Sequence, residues 1–351
     1  MKYWLLLLQY YRQFSRNFTL PQFFVTTCFS KWFDPYTIRQ PACTTMNIRL
    51  IRIAKICIQT FHRLDPVLPN LERRLLHETN LPPPIFIIGP PRSGSTILYE
   101  ALTVGCKCAF ITNVAALLYR CPVLITRMFH PHSPRQFSGK NSYGYIPGFT
   151  SPAEAKELNE SWFDVPQKPQ RIEVTRKQFA ELARFFGGPV IIKNLRNNLR
   201  IPSILQSFPD ARFIWLHRPA TDTIQSLLIG RRRIYNDDRT WLGIKPPGWH
   251  AFIDLDPIDQ IAHQVAGLEE PIRSGLIDIP ETQILRLDLE EFCQSPSKCL
   301  RKISEWYGPE LNLLSHSIQS LPERLPFSKG PKVDKEEWRR IEEAALRVSI
   351  S

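Results

Sequence analysis

The chain has 351 residues, 43% of them hydrophobic and 22% charged, which is ordinary for a globular protein and excludes a fibrous or low-complexity chain. This length fits one large α/β domain with appended segments. The net charge is +12, and residues 1–80 contain eleven Lys and Arg against four Asp and Glu, so most of the excess lies there. The basic residues are not interleaved with aromatic residues in a recognisable module, so nucleic-acid binding is not expected.

The N-terminal part is predicted to be appended to the main domain. Its strongly apolar run, Trp4–Leu8, is shorter than the about 20 residues of a membrane span and the roughly 7–15 residues of a signal-peptide core. We expect residues 1–45 to be a leader of uncertain structure and residues 46–82 to be a basic helical segment, broken by Pro66 and Pro69. The basic charge allows two interpretations, a solvated leader or a peripheral contact with a membrane surface.

The eight cysteines form no C-x-x-C pair and show no Cys and His spacing typical of a metal site. Reduced, structural cysteines are typical of proteins in a reducing compartment. The sequence therefore predicts a cytoplasmic protein without a bound metal.

Short apolar runs alternate with helix-like sequence from residue 83 onward. Ile85–Ile88 has the length of a buried central strand. Further strands are predicted over 189–193, 211–216 and 282–289, and helices over 96–103, from 194 to 208, over 219–228 and over 296–307. Because this alternation implies βαβ units, we predict an α/β fold with a parallel β-sheet flanked by helices on both faces, like that of P-loop NTPases. This domain should span 83–330, followed by a C-terminal helix over 331–351.

Residues 130–170 differ from this pattern. They are rich in Pro, Gly, Ser and aromatic residues and surround one short helix, predicted over 152–163. Such a stretch in an α/β protein more often shapes the mouth of a substrate site than the core. We therefore expect side chains from this stretch to face the substrate.

The turn after the first predicted strand has the composition of a phosphate-binding loop. It reads GPPRSGST over 89–96, and Gly89 and Gly94 are spaced as in G-x-x-x-x-G-K-[ST], with Ser95 in the place of the Lys. Such a turn presents backbone N–H groups and the positive end of a helix dipole to an anion. The cation of the loop is Arg92. The sequence therefore predicts an anion site without the usual lysine clamp for β- and γ-phosphates.

A kinase or nucleotide hydrolase is the alternative interpretation of this loop. Such enzymes place an Asp at a strand end to help hold Mg²⁺. Here the strand over 211–216 is followed by His217 and Arg218, and Asp288 is the remaining strand-end Asp. Binding of ATP that depends on Mg²⁺ would favour this alternative.

Several segments, in order, carry a resemblance to the sulfotransferases that use 3′-phosphoadenosine 5′-phosphosulfate. GPPRSGST resembles the 5′-phosphosulfate loop of that family, and FPDARFIWLHRPATDTIQSLL (208–228) is similar to its 3′-phosphate segment, with Arg218 and Ser226 at the family's spacing of eight. The segment PVIIKNL contains a predicted strand that ends at Lys193, and the family has a lysine near the transferred group at this place. ILRLDLEEFCQSPSKCLRKISEWYG resembles the next module of bacterial and protein-tyrosine-type members. The resemblance covers roughly 85–310.

This resemblance implies sulfuryl transfer from the phosphosulfate donor to an acceptor hydroxyl, in line and without a metal. The donor has no β- and γ-phosphate pair, which explains the missing lysine. Lys193 and Arg92 would stabilise the departing phosphate, because charge that grows on the bridging oxygen must be met by cations. Donor binding is implied for residues of the loop, of the 3′-phosphate segment and of the basic loop FSKGPK (327–332): Arg92, Ser93, Gly94, Ser95, Thr96, Arg218, Ser226, Lys329 and Gly330.

The general base is where the resemblance departs from the family. Leu195 stands in place of the His of cytosolic members, and Asn113 is the family's Glu position in protein-tyrosine-type members. From the irregular stretch we take Glu154 as the predicted base, with His130, His132 and Asp164 as alternatives. A chain without a base would need an acceptor with an acidic hydroxyl, or would be a non-catalytic nucleotide-binding relative. The class of the hydroxyl-bearing acceptor is left open.

Overall fold

Four short strands form one all-parallel sheet in the order β2-β1-β3-β4 in this computed structural model. The strands are β1 Ile85–Ile88, β2 Ile191–Lys193, β3 Arg212–His217 and β4 Ile284–Asp288. All their carboxyl ends meet at one edge of the sheet, which is where ligands bind in open α/β folds. The structure describes residues 67–77, 80–130, 135–139, 144–164 and 166–348.

Within that described part of the chain, α-helices connect and cover the strands. Their bounds are α1 Leu68–Leu75, α2 Ser95–Gly105, α3 Asn113–Leu117, α4 Pro122–Phe129, α5 Lys156–Phe163, α6 Pro169–Phe186, α7 Ile201–Ser207, α8 Ala220–Tyr235, α9 Pro257–Leu276, α10 Leu289–Gln294, α11 Pro296–Tyr307, α12 Ser315–Gln319 and α13 Lys335–Arg347. Short 3₁₀ turns lie at Leu195–Leu199, Trp249–Phe252 and Glu281–Gln283. No helix in these ranges combines the length and apolarity that crossing a membrane requires.

The central strand β1 is buried along its whole length, which explains its continuous apolar sequence. Phe86 of β1 lies on one face, with ring centroids 5.9 Å from Phe213 of β3 and 5.7 Å from Phe163 of α5. Ile85 and Ile87 lie on the other face, in a cluster with buried side chains of α2, α11 and α12. The predicted fold class, a parallel sheet with helices on both faces, is therefore confirmed.

The helix ends follow sequence signals. Pro169 starts α6, and Gly187 ends it with a φ of 72°, donating its N–H to Ala183. Asp334 caps α13 by accepting a hydrogen bond of 2.9 Å from the N–H of Glu337. These residue types at these positions are the reason that the helices begin and end where they do.

Three sequence predictions need correction in position. The helix predicted over 152–163 begins only at Lys156, because Ala155 adopts a left-handed backbone with a φ of 46°. The helix predicted to end near Leu228 continues to Tyr235. Pro69 does not break a helix but occupies the first turn of α1, where its missing N–H leaves no intrahelical bond unmade.

Helix α1 is attached to the rest of the fold through a buried carboxyl group. Glu72 is 1% exposed and accepts hydrogen bonds from the N–H of Leu124 (2.9 Å) and from Nε2 of Gln178 (2.8 Å). Oε1 of Gln178 in turn accepts from Nε1 of Trp162 at 2.7 Å. Burial raises the pKa of Glu72 to about 7, against the opposing effect of these hydrogen bonds and of nearby Arg127.

Backbone contacts divide the chain into two units. One comprises 63–146 and 150–351 and contains every helix and strand named above; the other comprises 147–149 with 1–62. The predicted leader over 1–45 and the first part of the predicted segment 46–82, up to residue 66, lie outside the described residues. The proposed membrane contact of that part therefore stays a prediction.

Candidate functional site

The loop between β1 and α2, residues 89–94, has a backbone that only particular residues can adopt. Gly89 has a φ of +146°, and a Cβ there would lie 2.7 Å from the carbonyl oxygen of Leu216. Gly94 has a φ of +82°, and a Cβ there would overlap Cδ1 of Leu289. Both glycines are thus required by conformation and by close packing. We call residues 89–96, which include the first turn of α2, the phosphate loop.

Helix α2 begins without a side-chain cap, because its N-cap residue is Gly94. The N–H groups of an uncapped first turn and the positive end of the helix dipole attract anions. Within the loop, the buried hydroxyl of Ser93 has no hydrogen-bond partner in the described structure. The loop therefore offers donors that match an anionic ligand.

A cluster of two guanidinium groups and a hydroxyl lies at one end of the phosphate loop. Arg218, directly after β3, donates from Nη1 to the carbonyl oxygen of Arg92 at 2.9 Å. Nε of Arg92 donates to Oγ of Ser226, on α8, at 3.2 Å. Burial lowers the pKa of Arg218, Asp222 opposes this, and Arg92 adds to it. Nε of Arg218 is buried without a partner in the described structure, which suits an added anion.

The basic loop near the C-terminus packs beside this cluster. The N–H of Gly330 donates to Oδ1 of Asp222 at 3.2 Å, and Gly330 accepts from Nε2 of Gln225 at 3.1 Å. Lys329 is exposed and forms an ion pair of 3.0 Å with Glu290. The structure thus places Gly330 against Asp222 and Gln225 of α8, with the side chain of Lys329 on Glu290.

A second cluster lies at the other end of the loop. The parallel register places Lys193, the last residue of β2, beside Ile87 of β1. Its buried Nζ, on a side chain that is 2% exposed, donates to Oγ1 of Thr96 at 3.1 Å and to the carboxylate of Glu154. The Glu154 side chain is 36% exposed. A lysine, a hydroxyl and an accessible carboxylate therefore meet at the first turn of α2.

The other residues considered as bases lie elsewhere. Asp164 forms an ion pair of 2.7 Å with Arg200, and His130 packs edge-on against Phe185 and Phe186. His132 lies outside the described residues. Leu195 and Asn113 stand where the resembled family has a base. Leu195 starts a 3₁₀ turn, and Asn113 donates from Nδ2 to the carbonyl oxygen of Ile146 at 2.9 Å. Glu154 is thus the predicted base that the structure places against Lys193.

The structure gives the two cations predicted for the departing phosphate different neighbours. The side chain of Arg92 contacts Ser226, and that of Lys193 contacts Thr96 and Glu154. Residue 92 has a φ of 68°, and Arg218 donates to its carbonyl oxygen. Arg92 therefore lies with Arg218 and Ser226, and Lys193 lies with Thr96 and Glu154. The shared role of Arg92 and Lys193 at the departing phosphate stays a prediction.

Sequence reasoning missed the asparagines that follow β2. Asn198 exchanges two hydrogen bonds with the backbone of Gly89, at 3.3 and 2.7 Å. Asn194 donates to the carbonyl oxygen of Glu154 at 2.9 Å. The signal was present, since KNLRNN places three short amides directly after a strand-end lysine. In the described ranges, no three His, Cys, Asp or Glu side chains are grouped so as to hold a metal ion.

Comparisons with known proteins point to one family. A family model described as "Sulfotransferase family" matches residues 83–312. The omega-hydroxy-beta-dihydromenaquinone-9 sulfotransferases Stf3 of Mycobacterium bovis and Mycobacterium tuberculosis are each 24% identical over 266 residues, which is 67% of this chain and 65% of theirs. The chain thus matches less than two thirds of the length of these relatives.

A solved structure shares the fold. Sulfotransferase STF9 from Mycobacterium avium superposes with a TM-score of 0.50 at 14% identity, over 84% of this chain and 81% of that one. At this identity the likeness is one of fold. The family match, in contrast, spans well over half of the chain and contains both clusters and the phosphate loop. The chain therefore belongs to the sulfotransferase family.

Proposed function

We propose that the protein transfers a sulfuryl group from 3′-phosphoadenosine 5′-phosphosulfate to the hydroxyl group of an acceptor. The observation that carries this proposal is the phosphate loop with two clusters that each contain a cationic side chain: Arg92, Arg218 and Ser226 in one, Lys193 with Thr96 and Glu154 in the other. A donor with two separate anionic groups, one of them reactive, matches two such clusters. The donor itself, the base and the acceptor are parts of this proposal.

In this proposal the phosphosulfate lies over the first turn of α2, where the N–H groups and hydroxyls of 93–96 would bind it. The 3′-phosphate would lie on Arg218 and Ser226, beside the guanidinium group of Arg92. Guanidinium groups form the stronger, charge-assisted hydrogen bonds to phosphate. The unpartnered hydroxyl of Ser93 and Nε of Arg218 are the polar atoms that such a ligand would satisfy.

The reaction forms a bond between the acceptor oxygen and sulfur and breaks the bond between sulfur and the bridging oxygen of the donor. The electron pair of the broken bond stays on the phosphate, and Lys193 would stabilise the charge that grows there. The acceptor hydroxyl loses its proton to Glu154, whose carboxylate is accessible and lies against Lys193. The products are a sulfated acceptor and 3′,5′-adenosine bisphosphate.

For the acceptor, we propose a molecule that approaches Glu154 along residues 150–164 of the irregular stretch. The relatives Stf3 are named for an omega-hydroxylated menaquinone. A hydroxyl group on an apolar molecule is therefore the first acceptor to test, ahead of glycans and protein tyrosine. We also propose a reducing compartment, because four described cysteines are buried and form no disulfide bond: Cys106, Cys108, Cys293 and Cys299.

Calorimetry with 3′,5′-adenosine bisphosphate tests the donor site. We expect clear binding to the wild type and at least tenfold weaker binding to Arg218→Ala, a loss of about 1.4 kcal/mol. Arg286→Ala is the matched control, since Arg286 is an exposed arginine of β4 that pairs with Glu281. Equal affinity for 5′-AMP and the bisphosphate would contradict a separate site for the 3′-phosphate. Binding of ATP that requires Mg²⁺ would instead favour a kinase.

Transfer assays with labelled donor test the second cluster. Lys193→Met should keep bisphosphate affinity within about threefold but lower kcat by roughly 100- to 1,000-fold, the cost typical of losing one charge-stabilising group. Glu154→Gln should lower kcat by roughly 100- to 10,000-fold if Glu154 is the general base. The control Glu157→Gln changes an exposed carboxylate in the first turn of α5 and should leave kcat unchanged. A Glu154→Gln enzyme with wild-type kcat would exclude Glu154 as the base.

A further inference from the structure

The segment that follows β2 has three asparagines whose side chains are nearly inaccessible. Asn194 is 3% exposed, and Asn197 and Asn198 are each 1% exposed. Buried amides are costly unless they are hydrogen-bonded, so their partners indicate what they do. Here most of the partners are backbone groups of distant segments rather than of the turn itself. We call these three residues the asparagine turn.

Asn198 holds the start of the phosphate loop. Its Oδ1 accepts from the N–H of Gly89 at 3.3 Å, and its Nδ2 donates to the carbonyl oxygen of the same residue at 2.7 Å. This pairing replaces the strand partner that Gly89 lacks after the end of β1. Because both backbone groups of one residue are held, the direction in which the chain leaves the sheet is set by Asn198.

Asn194 holds the segment that carries Glu154. Its Nδ2 donates to the carbonyl oxygen of Glu154 at 2.9 Å, while its Oδ1 caps the 3₁₀ turn by accepting from the N–H of Arg196 at 2.9 Å. Asn159, on α5, donates to the same carbonyl at 3.1 Å. Ala155, the next residue, has a left-handed backbone conformation, which is unfavourable for an L-residue with a Cβ. Strain of this kind persists where the surroundings over-determine it.

The third asparagine, Asn197, connects the asparagine turn to Asn159 of α5, which also contacts the segment that carries Glu154. Nδ2 of Asn197 donates to Oδ1 of Asn159 at 2.9 Å, and Asn159 donates to the carbonyl groups of both Glu154 and Ala155. One short turn therefore contacts, through side-chain amides, both the loop proposed to bind the donor and the segment proposed to carry the base. These two segments lie about 60 residues apart in the chain, and the asparagine turn contacts both, as does Lys193 directly before it.

We propose that the asparagine turn is a positioning element with two separable outputs: Asn198 orients the phosphate loop, and Asn194 orients Glu154. The roles of the two targets rest on the proposed function, but the positioning itself does not. Asn198 should therefore govern donor affinity, and Asn194 should govern turnover once the donor is bound.

Hydrogen exchange of backbone amides, read by mass spectrometry, tests the positioning without any ligand. Asn198→Ala should speed exchange at least tenfold in a peptide that covers 89–96 and leave one that covers 152–156 unchanged. Asn194→Ser should do the reverse, because serine still caps the 3₁₀ turn but is too short to reach the Glu154 carbonyl group. Faster exchange of both peptides in either variant, or of neither, would overturn the proposal.

Kinetics then separate the two outputs. We expect Asn198→Ala to weaken the binding of 3′,5′-adenosine bisphosphate at least tenfold, and Asn194→Ser to lower kcat at least tenfold at saturating donor with bisphosphate affinity within twofold. Gln264→Ala is the control, since it removes side-chain bonds to the backbone carbonyl groups of Leu242 and Ile244, and one accepted from Arg231, away from both segments. A wild type without affinity for the bisphosphate would refute the proposed function, whereas the exchange result would still decide the positioning. Wild-type kcat in Asn194→Ser would show that Asn194 is only a cap.

Discussion

The close contact between Gly94 and Leu289 gives a sharp test of how the phosphate loop is built. Gly94 has a φ of +82°, and a Cβ there would overlap Cδ1 of Leu289 and lie 3.3 Å from its Cγ and Cδ2. Leu289 is the first residue of α10 and is 7% exposed. Its side chain can make room for a Cβ only by shifting against the buried side chains of the cluster that contains it. The substitution Gly94→Ala should be strongly destabilising.

Two effects make up the expected cost. A left-handed conformation costs an L-residue with a Cβ about 1 to 2 kcal/mol. Overpacking against a buried side chain adds about 1 to 3 kcal/mol. The free energy of unfolding should therefore fall by about 2 to 5 kcal/mol in Gly94→Ala. If Leu289 is first replaced by Ala, the overlap is gone and the second substitution should cost only the backbone term, about 1 to 2 kcal/mol.

Urea unfolding of four proteins measures this difference: wild type, Gly94→Ala, Leu289→Ala and the double variant. The two substitutions should be coupled by about 1 to 3 kcal/mol, with the double variant more stable than the sum of the single effects predicts. Coupling within about 0.5 kcal/mol of zero would refute the reasoning, because distant, independent sites behave in that way. Gly243→Ala is a control for the backbone term alone, since Gly243 has the same φ of +82° and an added Cβ would meet nothing within 4 Å.

Three further predictions follow from contacts elsewhere. The free energy of unfolding of the wild type, measured with urea, should fall between pH 4.5 and 7, and Glu72→Gln should abolish this fall. The reason is that Glu72 keeps its proton up to a pKa of about 7 in the folded protein but loses it near 4.5 in the unfolded chain. At about 1.4 kcal/mol per pKa unit, the fall should be about 3 kcal/mol. An unchanged slope would contradict the burial of this carboxyl. Tyr307→Phe removes a 2.7 Å hydrogen bond to the carbonyl oxygen of Pro83 and should cost about 1 kcal/mol in the same assay; no loss would argue against the bond. Glu290→Gln releases Lys329 from an exposed ion pair, so stability should change by less than about 0.5 kcal/mol. Calorimetry should show bisphosphate affinity unchanged or up to threefold higher, and a clear decrease would show that the pair supports the donor site.

The sequence predicted those parts of the site that depend on local pattern. The apolar run of β1, the glycines at 89 and 94 and the strand-end position of Lys193 follow from residue type and spacing, and the structure places them at one edge of the sheet. Glu154 was predicted from composition alone, as a carboxylate in an irregular stretch. Its contact with Lys193 could not be derived, because no periodic pattern connects residues 39 positions apart.

What the sequence could not predict depends on backbone conformation and on distant partners. The left-handed φ of Ala155, which delays the start of α5, has no signal in a residue that normally favours helix. The sequence also has no signal for the direction of the Arg92 side chain, which points to Ser226 because of the backbone geometry at residue 92. The bonds from Asn198 to Gly89 span 109 residues, and a single sequence carries no trace of such a pairing.

The supports of the phosphate loop have a consequence for how the protein is made. Gly89 is held by residue 198 and Arg92 by residue 218, which lie 109 and 126 positions further along the chain. Contacts so distant in sequence form slowly, since the intervening chain must first be ordered. During synthesis, the glycine-rich turn therefore leaves the ribosome long before residues 198 and 218, which hold its backbone, have been added to the chain. The proposed binding of the donor should arise late, once β3 has joined the sheet, so binding of 3′,5′-adenosine bisphosphate by nascent chains would report completed folding.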